Sequence, residues 1–168
     1  MTVIHSVEFA RDGGELGGVI PLKSLPRLHD QLASVEGEVR WQLAGGVDKI
    51  ERPFLRLQVS ADIELVCQRC MKTMPFRVDA DTVLTQFSDE AGQDEAVAQD
   101  EDLEGILFEP ELDVEMLVED EVLLALPYAP RHATCDPTGG HAKASGDAKP
   151  NPFAVLAKLK TGKAEDSN

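Results

Sequence analysis

The sequence predicts an α+β fold: an antiparallel sheet or partly closed β-barrel of about five strands, with two or three packed helices and a flexible C-terminal tail. Three observations carry this expectation. Leu55, Leu57, Val59, Ala61, Ile63 and Leu65 alternate with Arg56, Gln58, Ser60, Asp62 and Glu64, the two-residue period of a half-buried strand. Strand-like runs lie on either side of it, at 38–44 and 74–87. Leucines three or four apart at 22–32, and an apolar stretch opened by Asp113, supply helices.

In chain order, residues 3–9 read as a short first strand with Val3, Val7 and Phe9 as its apolar points, and Asp12-Gly13-Gly14 and Gly17-Gly18 break the chain after it. Leu22, Leu25, Leu28 and Leu32 then mark one helix face, with Pro21 suited to a first turn. Pro26 disturbs that helix, so the stretch also reads as a turn followed by a helix over 24–33. Val39, Trp41 and Leu43 alternate with Arg40 and Gln42, and Gly45-Gly46 joins this strand to the next. From 74 to 87, Met74, Phe76, Val78 and Ala80 share one face, after which Val83, Thr85 and Phe87 fall in phase instead; this predicts a bulge near Thr82.

Residues 88–102 are acidic and poor in apolar side chains, which predicts a mobile loop and an acidic segment near 89–104. A last short strand at 105–108 follows. Asp113 is placed to cap a helix containing Met116, Leu117, Leu123 and Leu124, with Glu119, Asp120 and Glu121 as its solvent face. Pro127 and Pro130 end it. A single domain is thus expected at 1–135, a flexible linker at 136–149 and a tail at 150–168. Within the tail, 152–160 forms a short amphipathic segment with Phe153, Leu156 and Leu159 three apart. It is too short to hold a helix alone in water, so it docks on this domain, docks on a partner or stays disordered. Phe153, Leu156 and Leu159 are the candidate partner-binding residues.

The formal net charge is −15, and its distribution is uneven. Residues 1–77 carry ten basic and ten acidic side chains, whereas 78–130 carry seventeen acidic ones and no lysine or arginine. Such a block repels phosphates and suits a solvated face or a basic protein partner. Arg40, Arg52, Arg56, Arg69, Lys72 and Arg77 could form a separate patch for RNA. No run is long enough to span a membrane, no signal peptide is evident, and three cysteines fit a reducing cytosol; the expected location is cytoplasmic.

Those cysteines form the main chemical signal. Cys67-Gln-Arg-Cys70 and His132-Ala-Thr-Cys135 are two closely spaced pairs of soft ligands, separated by enough chain to fold back on one another. Cys67, Cys70, His132 and Cys135 are therefore candidate ligands of one structural zinc, with idle thiols and a redox dithiol as the other readings. Against the redox reading, Cys67 ends a strand-like run rather than opening a helix, so no helix dipole lowers its pKa. No phosphate-binding glycine loop or Gly-x-Ser-x-Gly nucleophile motif is present, which argues against an enzyme and against a small-molecule substrate.

Val66-Cys67-Gln-Arg-Cys70, then Val118-Glu-Asp-Glu-Val122 running through Leu124-Ala-Leu-Pro127 to His132, then Pro150-Asn-Pro-Phe-Ala-Val-Leu-Ala157 resemble the bacterial YceD family, the large ribosomal RNA subunit accumulation proteins. The similarity runs from about Arg11 to Lys160 with the three motifs in order. It implies a non-enzymatic cytosolic factor supporting synthesis, processing or stability of large-subunit (23S) ribosomal RNA, with that RNA, a ribosomal protein or an assembly factor as partner. The alternative is a zinc-stabilised acidic adaptor that binds a basic protein through 89–121 without touching RNA.

Overall fold

In a computed structural model that describes residues 2–135, the chain runs β1 (Val3–Ile4), α1 (Ser6–Arg11), β2 (Glu15–Pro21), two 3₁₀ turns (Leu22–Ser24 and Pro26–Leu28), β3 (Leu32–Ser34), β4 (Glu38–Val47), β5 (Pro53–Val66), β6 (Thr73–Phe87), α2 (Glu90–Gln99), β7 (Glu104–Leu107), β8 (Leu112–Asp113) and α3 (Val114–Ala125). The fold is α+β. Six strands form one sheet in the order β2-β4-β5-β6-β7, with β3 also paired to β5, and this path does not close on itself. Pairing is antiparallel except between β6 and β7, so the sheet is mixed rather than wholly antiparallel. β1 and β8 make a separate two-stranded pair. The expected linker at 136–149, the tail at 150–168 and the segment at 152–160 lie outside the described residues.

β5 organises the core. Its alternating residues Leu55, Leu57, Val59, Ala61, Ile63 and Leu65 are at most 4% exposed and share one cluster with Ala10 of α1, Leu22, Leu25 and Leu28 of the 3₁₀ turns, and Val118 of α3. Each large aliphatic side chain buried this way contributes about 1.5–3 kcal/mol. The opposite face carries Arg40, Gln42, Arg56 and Gln58 into solvent.

Several local expectations are corrected. Residues 3–9 are not one strand: only Val3–Ile4 is extended, and Ser6–Arg11 is helical, with Ser6 and Ala10 buried one turn apart. Ser6 reads as polar, which conceals the helical period; its Oγ accepts the Glu109 N–H at 3.1 Å. Gly17 and Gly18 do not break the chain but lie within β2, where a Cβ on Gly18 would sit 3.3 Å from the Trp41 ring. Gly45 and Gly46 belong to β4, not to a turn. A Cβ on Gly45 would come 2.6 Å from the Phe9 carbonyl oxygen, so glycine there lets α1 rest on the sheet. The turn falls later, where the Asp48 carboxylate accepts the N–H groups of Ile50 and Arg52, both at 2.9 Å.

No helix forms over 24–33. Residues three apart eclipse in a 3₁₀ helix, and Leu22, Leu25 and Leu28, each at most 1% exposed, use that spacing in two successive 3₁₀ turns. Nor is there a bulge near Thr82, since the β5–β6 register is unbroken from Val66↔Thr73 to Phe54↔Thr85. The apparent change of phase has another cause: both faces of β6 are covered at its end, and Leu84, Thr85, Gln86 and Phe87 are all buried. Residues 88–102 hold a helix rather than a loop. Asp89 caps α2 by accepting the Gly92 N–H at 2.8 Å, yet no residue of α2 is buried, so no apolar period announces it.

Candidate metal centre

The β5–β6 hairpin ends in a knuckle. Its register continues one step past the last strand pair, where the Cys67 N–H donates to the Lys72 carbonyl at 2.9 Å. The Met71 N–H donates back to the Cys67 carbonyl at 2.9 Å, and Met71 adopts a left-handed φ of 59°. Cys67 keeps the phase of Ile63 and Leu65 and is buried. Cys70 is half-buried.

The second pair of ligands is delivered by α3. Asp113 caps this helix as expected, accepting the N–H groups of Glu115 and Met116. Val114, Val118 and Val122, four apart and fully buried, seat it on the core. The acidic triplet is not a solvent face, which corrects the sequence expectation. Glu119 and Glu121 are 5% and 9% exposed. A Glu119 oxygen accepts the Arg27 backbone N–H at 2.7 Å, Asp120 pairs with the Arg27 guanidinium, and Glu121 accepts the Thr82 hydroxyl at 2.6 Å. Leu124 of the predicted apolar face is 81% exposed and Met116 is 56% exposed. The four-residue spacing of the three valines was the signal available for the true face. Beyond α3, the Pro130 carbonyl accepts the Gln68 N–H at 2.8 Å and ties the following segment to the knuckle.

Cys67, Cys70, His132 and Cys135 are thereby brought together, with all four ligand atoms within 4.8 Å of one another. Cys67 Sγ stands 3.8 Å from Cys135 Sγ, and Cys70 Sγ stands 3.4 Å from His132 Nδ1. A tetrahedral zinc with Zn–S near 2.3 Å and Zn–N near 2.05 Å has S···S and S···N edges of about 3.8 and about 3.6 Å. Burial raises the Cys67 thiol pKa, but the N–H groups of Cys70, His132 and Arg69, with the His132 side chain, outweigh it and hold the thiol at about 5. Cys135 is pushed up by its own burial and by Cys67 and Cys70 beside it. The arrangement could hold a metal ion. Four protein ligands would fill a tetrahedron and leave no open position for a substrate, the pattern of a structural rather than a catalytic site. Cys67 follows a strand and not a helix start, so the helix-dipole activation of a redox dithiol has no basis here.

The candidate partner-binding residues Phe153, Leu156 and Leu159 lie outside the described residues. Of the six cations grouped as an RNA patch, four are held in ion pairs. Arg40 pairs with Glu38, Arg52 with Asp48, Arg56 with Asp81 and Arg77 with Asp62. Among the described residues, no helix is long and apolar enough to cross a membrane.

Fold and cluster together define a small α+β protein with three cysteines and a histidine gathered at the tip of its central hairpin. Residues 55–160 match the family described as large ribosomal RNA subunit accumulation protein YceD. A curated relative of that name from Haemophilus influenzae is 33% identical over 152 residues, covering 85% of this chain and 86% of the relative. No solved structure gives a significant match. The chain belongs to the YceD family.

Proposed function

We propose that this protein is a non-enzymatic ribosome-biogenesis factor, working in the cytoplasm to support synthesis, processing or stability of large-subunit (23S) ribosomal RNA. The observation that carries this reading is the match of residues 55–160 to a family described by large-subunit RNA accumulation. The geometry fits it: the cysteine hairpin and the segment after α3, which carry two of the motifs, meet in one cluster. The cofactor we assign to that cluster is one structural zinc on Cys67, Cys70, His132 and Cys135. Depletion should lower mature large-subunit RNA relative to small-subunit RNA. A ratio that stays constant in both slow and fast growth would remove the assignment.

A second reading has one observation behind it. α2 is capped and acidic, and none of its residues is buried, so no apolar face explains its presence. An adaptor that binds a basic ribosomal or assembly protein through 89–121 would use such a helix, and crosslinking from that segment would then recover protein and not RNA.

A further inference from the structure

We propose that the outer surface of the knuckle is a binding site for single-stranded RNA, with Arg69, Lys72 and Arg131 taking backbone phosphates and Tyr128 stacking on a base. This deepens the role in large-subunit RNA accumulation and rests on that reading.

The described residues hold eleven lysines and arginines, of which five are locked to carboxylates: Arg27 to Asp120, Arg40 to Glu38, Arg52 to Asp48, Arg56 to Asp81 and Arg77 to Asp62. Of the remaining six, Arg11, Lys23 and Lys49 sit singly at the end of α1, in the first 3₁₀ turn and in the β4–β5 turn. The other three converge. Arg69 precedes Cys70, Lys72 accepts the Cys67 N–H through its carbonyl, and Arg131 precedes His132, whose Nδ1 is 3.4 Å from Cys70 Sγ. All three are exposed, and none forms an ion pair among the described residues. The turn hydrogen bonds and the Gln68–Pro130 bond hold the backbone here, so the ordering cost of binding falls mainly on the three side chains.

The same two segments carry an aromatic ring and a soft apolar side chain. Tyr128, three residues before Arg131, is fully exposed, and Met71 is 70% exposed. Phosphate charge would satisfy the three cations, but an uncovered ring beside them suits an unpaired base, which stacks on aromatic faces. That combination favours single-stranded RNA over an acidic peptide. The trough of about 640 Å³ on the outer face of the sheet offers neither feature. Its Arg40 is bound to Glu38, and its aromatic, Trp41, is 7% exposed and belongs to the core.

The acidic helix α2 does not cancel this patch. α2 begins beyond the far end of β6, whose 15 residues separate it from the knuckle. At about 3.3 Å per residue that is roughly 45 Å along the strand, against a screening length of about 8 Å at physiological salt. Along β5 the nearest exposed carboxylate is Glu64, three residues before Cys67.

The test is fluorescence anisotropy with the full, zinc-loaded chain and a labelled single-stranded RNA of about twelve nucleotides. Binding should weaken with salt at a slope of about −2 in log K against log concentration, as expected for three phosphate contacts. The combined variant Arg69→Gln/Lys72→Gln/Arg131→Gln should lose about tenfold or more in affinity at about 50 mM salt and flatten that slope. Tyr128→Ala should lose about fivefold or more with the slope unchanged. The control Lys23→Gln/Lys49→Gln should stay within about twofold, and circular dichroism should show all variants folded. The proposal is overturned if the wild-type chain does not bind, if the control loses as much as the combined variant, if duplex RNA binds equally well, or if polyglutamate displaces the RNA as readily as unlabelled RNA does. In depleted cells, full restoration of large-subunit RNA by a non-binding combined variant removes this site and leaves the biogenesis role standing. An unchanged RNA ratio on depletion removes the role instead.

Discussion

Cys67 Sγ and Cys135 Sγ stand 3.8 Å apart although they are 68 positions apart in sequence. Nothing local brings them together. The approach depends on the long β5–β6 hairpin, on the valine face of α3 and on the single backbone bond from Gln68 to Pro130. The cluster therefore reports on the whole tertiary fold.

Protein purified without chelator should contain about one zinc per chain by elemental analysis, the stoichiometry of a four-ligand site. At a metal concentration a hundredfold above its dissociation constant, binding stabilises the fold by about 2.7 kcal/mol, which is roughly 10 °C in Tm for a domain of this size. Chelation, or Cys135→Ser, should remove that increment. Equal Tm values with and without metal would reduce the cluster to idle thiols.

Thr82→Val should destabilise by about 1.5–3 kcal/mol, because it leaves the buried Glu121 carboxylate without its 2.6 Å hydroxyl donor. Leu124→Ala, at an 81% exposed position, should change stability by less than about 0.5 kcal/mol. Urea denaturation of the two variants compares the acidic and apolar sides of α3 directly. A larger loss from the leucine would mean that the helix is seated the other way round.

Hydrogen bonds from the Arg56 guanidinium, then from Gln58, lower the Asp81 pKa from 3.8 to about 2. A folded pKa below the unfolded one contributes stability that is present above about pH 3.8 and is lost as pH falls through about 2. Asp81→Asn should thus be less stable than wild type at neutral pH, and the two urea midpoints should converge as pH approaches 2. The pair is exposed, so the gap will be small. A gap of constant size down to pH 2 would assign it to packing and not to charge.

Deleting residues 150–163 removes Phe153, Leu156 and Leu159, the apolar anchors assigned to a partner. The expected result is a fall in mature large-subunit RNA with the Tm of residues 2–135 nearly unchanged. A large drop in Tm would show that the anchors complete the core of this chain.

Much of this architecture was legible because burial on one face leaves an alternating trace, as it does in β5. The Cys/His cluster was legible because two pairs of soft ligands at short spacing suit one metal ion. Three features left a weaker or misleading trace. The leucines at 22, 25 and 28 obey a three-residue period that an α-helix and a 3₁₀ turn share at short length. α2 buries nothing, so its pattern matches that of a solvated loop. Glu119 and Glu121 face inward because Arg27 and Thr82 supply donors there, and those partners are 92 and 39 residues away in sequence.

The order of synthesis adds a further consequence to the two-part cluster. Cys67 and Cys70 leave the ribosome 65 residues ahead of Cys135. At about 5–20 residues per second, the knuckle spends roughly 3–13 s as a half-built site. In that interval β4, β5 and β6 can pair through their short turns, while the cysteine pair alone would offer two ligands and hold a metal only weakly. Firm capture would have to wait until α3 has docked and carried His132 and Cys135 into place. Metal uptake would then be a late, chain-proofing event of folding, retained by chains whose helix has found its seat.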